Sequence, residues 1–209
     1  MSKARMTPIS DWKDGFLFLG NHPALDFLNT RPVQNSEPME LLSDFSTLLR
    51  WFQAADLLTS RKAAELQQRW KESARAKRTV EAIRELREKL RREILPWEGG
   101  AAIHGSTVDE LNRLMAEHPM RTRLKATGKV FSTELYFDPR QPEDLFAPLA
   151  QSAALLFAEV DHNRVRKCDQ CVLHFHDTSK KGTRRWCSMQ LCGNRLKVAA
   201  YSARRRMRN

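Results

Sequence analysis

The 209-residue chain contains no apolar run close to the length that a membrane-spanning helix needs, which predicts a soluble protein. Its first 14 residues are mixed polar and hold no apolar segment of the secretory type, so we expect a cytoplasmic location. The chain also has no G-x-S-x-G motif, no glycine-rich phosphate loop and no H-E-x-x-H motif. We therefore expect a protein that is not an enzyme.

Cysteine is scarce, and its placement is the most informative feature of the sequence. The four cysteines lie in the last third, as Cys168-x2-Cys171 and Cys187-x4-Cys192, with fifteen residues between the pairs. Two disulfides would suit a secreted domain, whereas paired thiols in a reducing cytosol more often bind metal. Four thiolates in a tetrahedral set prefer zinc to hard cations and leave no open position for a substrate. The spacing therefore predicts one structural zinc ion held by these four residues.

Two alternatives to this assignment stay open from the residues alone. Four cysteines can hold an iron–sulfur cluster as well as zinc. His174 and His176 lie between the two pairs and are rival ligands, although four thiolates already complete the shell and histidines also suit an ordinary hairpin. Whichever ligands are used, metal binding would supply much of the folding free energy of so small a module.

Positive charge is distributed very unevenly along the chain. Residues 164–209 hold 13 lysines and arginines against two acids, Asp169 and Asp177, and so account for the whole formal charge of +11. The rest of the chain holds 23 basic and 23 acidic residues. A neutral body with a strongly basic end is typical of a polyanion partner, with nucleic acid ahead of an acidic membrane surface. A solubilising tail is the alternative.

The residues after Cys192 predict a helix that runs to about residue 208 and has two different faces. One stripe at helical spacing is apolar, with Leu196, Ala200, Ala203 and Met207, and a second is basic with one tyrosine. Such a helix can pack on the metal module and present arginines to phosphates or base edges. The predicted nucleic-acid-binding residues are Lys180, Lys181, Arg184, Arg185, Asn194, Arg195, Lys197, Tyr201, Arg204, Arg205, Arg206 and Arg208.

Apolar residues at helical spacing predict a helical body before the basic end. The pattern occurs in residues 36–58, 60–70, 77–95 and 144–162. Thr107 and Glu110 have the spacing of a capping box, which predicts the start of a further short helix.

A β-hairpin is predicted between the last two helices of the body. Residues 121–125 and 129–137 have strand character and meet at Thr127-Gly128. We therefore predict an α+β, mostly α-helical fold with two domains. Residues 1–162 would form a helical domain with one hairpin, and residues 163–209 a small treble-clef-like zinc finger with a basic C-terminal helix.

Several segments resemble known domains. RKCDQC (166–171), FHD (175–177) and, above all, RWCSMQLCGNRLK (185–197) resemble the CGNR zinc-finger domain, whose four cysteine ligands correspond to the four cysteines here. LDFLNT (25–30) resembles the LDFVNT-like motif of the ABATE domain that usually precedes it, with Leu28 where valine is common, and LNRL (111–114) resembles its later helix. The resemblance covers nearly the whole chain and implies a bacterial protein of the stress-induced transcription-regulator type.

By analogy with that family, the N-terminal domain would sense a small-molecule effector or form a homodimer. Asp26, Asn29, Thr30 and Arg31 form a polar cluster in an apolar context, and they are candidates for lining a ligand pocket. The alternative is that Asp26 and Asn29 cap backbone groups near a turn.

The sequence as a whole favours a DNA-binding transcription regulator whose zinc module presents a basic helix to duplex DNA. An RNA-binding protein and a zinc-stabilised protein-interaction module are the alternatives. Sequence-specific RNA modules usually stack bases on several aromatic side chains, whereas the basic module offers only Tyr201 and Trp186. This shortage favours duplex DNA.

Overall fold

The computed structural model of the chain describes residues 11–34 and 37–193. These residues are mostly helical with small antiparallel strand pairs, as the sequence predicts, and no helix among them is long and apolar enough to cross a bilayer. The α-helices are α1 (Pro23–Leu28), α2 (Phe45–Ala54), α3 (Ser60–Trp70), α4 (Ala74–Glu98), α5 (Gly105–Glu117) and α6 (Phe146–Glu159). The strand pairs are β1 (Trp12–Lys13) with β2 (Phe16–Leu17), β3 (Val33–Gln34) with β4 (Glu37–Pro38), β5 (Arg121–Thr127) with β6 (Val130–Tyr136), and β7 (Val165–Lys167) with β8 (His174–His176).

One apolar cluster holds the helices of the body together. Trp51 on α2 lies at its centre, with the rings of Phe18, Phe27 and Phe52 at centroid distances of 6.3, 5.8 and 5.4 Å. Helix α4 adds an apolar stripe that includes Val80, Ile83, Leu86, Leu90 and Ile94. Burying a side chain of this size contributes about 1.5–3 kcal/mol, so the stability of the body rests on apolar burial spread over many residues.

A buried cation lies beside this cluster. The side chain of Arg87 on α4 is only 1% exposed. Its guanidinium donates to both carboxylate oxygens of Glu40, at 2.8 and 2.5 Å, and to the hydroxyl of Thr30 at 2.9 Å. Glu88 accepts from the remaining Nε at 2.9 Å. The charge is therefore paired and hydrogen-bonded, which is the condition under which a buried arginine is tolerated.

Helix ends differ from the sequence prediction where polar side chains act locally. Helix α2 begins at Phe45 instead of residue 36, because Asp44 and Thr47 form a reciprocal capping box. The capping box predicted at Thr107 is wrong. Helix α5 already begins at Gly105, and the buried Thr107 hydroxyl donates to Glu93 on α4 at 2.8 Å.

The predicted hairpin is present as β5 and β6. Its register pairs Arg121 with Tyr136 and Thr127 with Val130, so Gly128 and Lys129 form the turn. Gly128 has a φ of +63°, which glycine adopts without strain. All residues of β5 are exposed, and the hairpin thus packs little against the helices.

A second, smaller apolar cluster lies around the cysteines. It contains Leu173, Phe175, Cys168, Cys187 and Cys192, and it is completed by Leu17 and Leu19 from the N-terminal segment. The predicted domain boundary near residue 162 stays a prediction, but residues from before it pack into the cysteine module.

Candidate metal centre

The four cysteine sulfurs converge on one point. Their Sγ atoms all lie within 4.8 Å of one another, and the Cys171–Cys187 and Cys187–Cys192 separations are both 3.6 Å. Four sulfurs arranged tetrahedrally at about 2.3 Å from zinc would be about 3.8 Å apart. The donor set and its dimensions therefore fit one structural zinc ion, with every position filled by protein.

The first cysteine pair is held by the turn between β7 and β8. Cys168 follows β7 directly, and its N–H donates to the carbonyl of Leu173 at 2.8 Å, which closes the turn around Cys171. Asp169 N–H donates to the carbonyl of Arg185 at 3.1 Å and so ties this turn to the second pair. The backbone thereby fixes the distance between the two pairs.

A single π-helical turn, Met189–Gly193, positions the second pair. Cys187 lies just before this turn and Cys192 lies within it. The Ser188 hydroxyl accepts from the N–H groups of Gln190 and Leu191 at 3.0 and 3.3 Å, and it donates to the carboxylate of Asp11. The four-residue spacing thus places one ligand before a helical turn and the other inside it.

The thiols of the cluster shift one another's pKa in opposite directions, and the hydrogen bonds that Cys168 receives from Cys171 and Cys187 lower its pKa. The Cys171 thiol is hydrogen-bonded to the sulfur of Cys168, which raises the pKa of Cys171 to about 12. Contacts with the sulfurs of Cys168 and Cys171, and then burial, raise the pKa of Cys187 above its ordinary value. Adjacent thiolates repel each other in a buried site, and a bound divalent cation reverses this balance.

The histidines between the pairs serve other contacts. His174 is buried, and its Nδ1 lies 2.5 Å from a carboxylate oxygen of Glu98 at the end of α4. The backbone N–H of His176 donates to the backbone carbonyl of Gly20 at 2.7 Å. Neither residue belongs to the cluster of possible metal ligands found among the described residues.

A polar clasp joins the body to the cysteine module. The side-chain amide of Asn29 accepts from the N–H of His174 and donates to its carbonyl, both at 2.9 Å and both buried. Glu98 bonds to the His174 ring and also accepts from the N–H of Lys167 at 3.2 Å. The sequence contains no signal for these pairings, because they join residues far apart in the chain.

The predicted ligand-pocket residues make contacts within the protein. An oxygen of Asp26 accepts from the N–H of Gly20 at 2.7 Å, and burial raises its pKa to about 7. Thr30 donates to the carbonyl of Phe27 at 2.6 Å, and Arg31 pairs with Glu88 at 3.2 Å. With Asn29 in the clasp, all four have partners within the protein. Asp26 and Asn29 bond to backbone groups, as the capping alternative expects, and the ligand pocket stays a prediction.

The loop between the cysteine pairs is shaped by Asp177. Its two carboxylate oxygens accept from the N–H groups of Ser179 and Arg184 at 2.9 and 2.8 Å. The Arg184 guanidinium lies 4.5 Å from the ring centroid of Phe175 and donates to the carbonyls of Trp186 and Cys187. Arg184 therefore supports the loop around the metal site.

The other basic residues of this loop face solvent. Lys180, Lys181 and Arg185 are exposed, and Arg185 pairs with Asp169 at 2.7 Å. The remaining predicted nucleic-acid-binding residues lie outside the described residues: Asn194, Arg195, Lys197, Tyr201, Arg204, Arg205, Arg206 and Arg208.

A cleft of about 330 Å³ borders the cysteine cluster. Its wall includes Leu17, Val33, Leu173, Leu191 and Cys192.

Comparison with protein families matches two models, in order along the chain. Residues 21–160 match ABATE, described as "Putative stress-induced transcription regulator", and residues 164–205 match the CGNR zinc finger. No curated protein matches the chain. The four clustered cysteines lie within the zinc-finger match, which confirms the expected cofactor, one structural zinc ion.

Proposed function

Because the chain belongs to the ABATE family and carries a CGNR zinc finger behind that domain, we propose that it is a DNA-binding transcription regulator. The zinc finger presents the basic C-terminal segment to duplex DNA. The ABATE domain, at residues 1–162 in our division of the chain, senses a small-molecule effector or pairs two subunits.

The charge distribution is the observation that carries this proposal. All of the formal charge of +11 arises within residues 164–209, while the body is neutral. Phosphate contacts by lysine and arginine supply most of the non-specific affinity for DNA. The three exposed basic residues of the loop, Lys180, Lys181 and Arg185, belong to the same module as the basic C-terminal residues.

The zinc ion supports DNA binding by stabilising the fold of the finger, and it does not contact DNA itself. When bound, it cross-links the two cysteine turns and supplies folding free energy that the small apolar cluster lacks. Arg184 and Asp177 hold the loop between the turns, so that Lys180 and Lys181 extend from a fixed backbone. The apolar cleft beside Cys192 offers a packing surface for the apolar stripe of the predicted C-terminal helix.

The proposed role as a DNA-binding regulator also leads us to expect a particular oligomeric state and location. A single small module contacts few base pairs, so we expect a homodimer that binds two half-sites. We place the protein in the cytoplasm, where DNA is accessible in a bacterium, and we assign it no catalytic activity.

Selection of bound sequences from a random duplex pool, with single-stranded RNA as competitor, tests the proposal. We expect enrichment of duplex sites and an affinity that falls steeply with salt. Arg204→Ala and Arg205→Ala should each weaken binding and reduce the salt slope by about one. Arg78→Ala, at an exposed position of α4 in the neutral body, is the matched control and should bind like the parent.

Three outcomes would contradict the proposal. Preferential capture of RNA would indicate the RNA-binding alternative. A weak salt slope with no duplex enrichment would indicate a protein-interaction module. Equal DNA binding by both arginine variants and the parent would show that the C-terminal segment is not the contact surface.

A further inference from the structure

A cavity of about 300 Å³ lies where the end of α5, the start of β5 and the beginning of α6 meet. We call it the α5–α6 cavity. Its wall includes Glu117 and His118 at the end of α5, Arg121 at the start of β5, and Asp144 and Ala147 at the beginning of α6. Pockets for small organic ligands start at about this volume, and they combine apolar surface with a few well-placed polar groups.

His118 is held in one orientation at this cavity. Its side chain is only 9% exposed, and its Nδ1 lies 3.0 Å from Oδ1 of Asp144. The ring also stacks on Phe146, with a centroid distance of 6.0 Å. Nε2 has no hydrogen-bond partner among the described residues, and it keeps access to solvent. One ring nitrogen is therefore fixed by the protein, and the other is available to a ligand.

Asp144 serves the protein and leaves the cavity a donor. Its Oδ1 accepts from His118 and from the side-chain amide of Gln141, and its Oδ2 accepts from the backbone N–H groups of Arg140 and Gln141 at 2.8 and 3.1 Å. Burial raises the pKa of Asp144, but these hydrogen bonds outweigh burial and hold the pKa below its ordinary value. A histidine whose Nδ1–H faces a carboxylate can carry a second proton on Nε2 and donate it to another anion.

The charged residues of the wall leave two cations without partners. Both other acids, Glu117 and Asp138, pair with basic residues outside the wall, at 2.6 and 3.3 Å. Arg121 and Arg140 are exposed, and neither has an ion pair or a side-chain hydrogen bond within the part of the chain that the structure describes. The wall therefore carries unbalanced positive charge. Arginine binds a carboxylate or a phosphate through two parallel hydrogen bonds, so this charge favours an oxyanion.

A neighbouring cleft has no such excess of charge. It measures about 600 Å³, runs along α4 and shares Glu117 and His118 with the α5–α6 cavity. Arg92 and Glu85 on its wall are both exposed, and both lack an ion pair among the described residues. One buried oxygen of Glu143 also has no hydrogen-bond partner there. Charges of both signs are thus open in this cleft, which makes it a poorer site for an anion.

Apolar surface completes the wall of the α5–α6 cavity. Pro119, Phe137 and Ala147 line it, and the ring of Phe137 packs against the core residue Phe52 at a centroid distance of 6.1 Å. The acids of the wall do not form a metal site, because the four cysteines are the cluster of possible metal ligands found among the described residues. The cavity therefore combines a basic rim with an apolar side.

We propose that the α5–α6 cavity binds a small organic oxyanion, which is a carboxylate or a phosphate carried on a small apolar group. Arg121 and Arg140 bind the oxyanion, Nε2 of His118 donates to it, and the apolar side packs on the rest of the ligand. This inference rests on the effector-sensing part of the proposed function, since it names the chemical class of the effector. The binding itself involves no DNA.

Titration calorimetry of the full zinc-loaded chain with benzoate and with phenyl phosphate, in about 0.15 M salt and without DNA, tests the proposal. We expect at least one probe to bind saturably with a Kd of about 1 mM or lower. The tighter of the two identifies the oxyanion. Benzamide has the shape of benzoate without its charge and should bind at least about tenfold more weakly. Inorganic phosphate lacks the apolar group and should bind at least about tenfold more weakly than phenyl phosphate.

Substitutions at the rim locate the site. Arg121→Ala and Arg140→Ala should each weaken binding of the preferred probe at least about tenfold. Arg92→Ala removes the same charge from the neighbouring cleft and should bind like the parent. His118→Asn keeps an amide N–H for Asp144 but lacks Nε2, and it should weaken binding about three- to tenfold. Thermal unfolding checks that each variant stays folded.

Hydrogen exchange gives an independent readout. The hairpin packs little against the helices, and its first residue, Arg121, belongs to the cavity. A ligand held by Arg121 and His118 connects β5 to α5, so exchange at the start of β5 should slow when the preferred probe is added. The same addition should leave exchange in the Arg140→Ala protein unchanged at probe concentrations near the Kd of the parent.

Four results would overturn the proposal: no saturable binding of either charged probe, equal binding of benzamide and benzoate, parent-like binding by both Arg121→Ala and Arg140→Ala, or equal weakening by Arg92→Ala. Probes that bind the basic C-terminal residues instead would give the third result. Probe binding without DNA binding would contradict the DNA-binding role alone. DNA binding without probe binding would contradict only the present inference.

Discussion

The helical body and the zinc finger bury apolar surface by different means. The body has a large core in which Trp51, Phe27 and Phe52 are fully buried and α4 contributes a long apolar stripe. The finger has a small apolar cluster of Leu173, Phe175 and three cysteines. Leu17 and Leu19 from the N-terminal segment pack into this cluster. Stability is therefore distributed over many contacts in the body and concentrated at one metal ion in the finger.

This difference predicts how each region responds to substitution. In the body, many side chains contribute to apolar burial. Truncating one of them lowers the free energy of unfolding by a few kcal/mol, and the body is expected to stay folded. Where four thiolates hold one ion, removing one ligand removes the cross-link for the whole module. We expect the clasp of Asn29 with His174 to couple the two regions, so that damage in one affects the other through these hydrogen bonds.

The largest effect should follow the loss of one zinc ligand. We expect Cys171→Ser to reduce zinc from about one ion per chain to none and to open the finger, because structural zinc contributes roughly 10–16 kcal/mol in small fingers. Metal analysis and hydrogen exchange measure this, with α2 and α4 expected to keep their protection. His176→Gln, which replaces a rival ligand outside the cysteine cluster, should retain zinc. A Cys171→Ser protein that still holds one zinc ion would contradict this assignment.

A large but partial effect is expected in the body from Arg87→Met. The substitution removes the charge that pairs with Glu40 and leaves that carboxylate without its main partner, which should lower the free energy of unfolding by about 3 kcal/mol. Zinc content should not change. Denaturant unfolding measures the loss, and Arg78→Met at an exposed position of the same helix should change stability by less than about 0.5 kcal/mol. Equal losses in both variants would show that the buried pair is not the cause.

The metal site was predictable because its chemistry is local in sequence. Cysteine is rare and reactive, and two short spacings in one segment leave few structures that use all four thiols. The hairpin was predictable for a similar reason, since Thr127-Gly128 separates two segments with strand character. Both features depend on residues that are close together in the chain.

The contacts that sequence could not predict join distant residues of common types. Asn29 meets His174 across 145 positions, and an asparagine near a turn has many other uses. The charge of Arg184 predicts a nucleic-acid contact, which stays a prediction, but it gives no signal that the guanidinium packs on Phe175 and bonds to backbone carbonyls. Thr107 has capping-box spacing, yet its hydroxyl bonds to Glu93 in another helix. The sequence pattern around such a residue does not show which distant residue will contact it in the folded protein.

A smaller effect is expected at the clasp. Asn29→Ala leaves both the N–H and the carbonyl of His174 buried without their partner, which should cost about 2 kcal/mol. In the Asn29→Ala protein we also expect the finger to open at a lower denaturant concentration than the body. Hydrogen exchange measured at increasing denaturant would show this as two separate transitions. Asn21→Gly is the matched control, because Asn21 also bonds to the finger, through the carbonyl of His176, but is exposed and has a positive φ that glycine accepts. If the two variants behave alike, the buried amide does not couple the regions.

The smallest effect concerns pH at the same junction. Burial raises the pKa of Asp26 to about 7, whereas the unfolded chain has an ordinary aspartate. The folded state therefore holds a proton that the unfolded state has lost, so this residue's contribution to stability decreases as pH rises through the folded pKa. Between about pH 6 and pH 8 the decrease should be about 1.4 kcal/mol.

Asp26→Asn isolates this contribution. The pKa of nearby His22 is lowered by burial and then by His176, which works in the opposite direction, since a histidine that protonates less readily when folded lowers stability as the pH falls. The difference between parent and variant cancels the part due to His22. Denaturant unfolding at several pH values should show the parent losing stability relative to Asp26→Asn as pH rises. A difference that is constant with pH would mean that Asp26 is already ionised in the folded protein, and that the loop at Gly20 is held by a carboxylate at every pH tested.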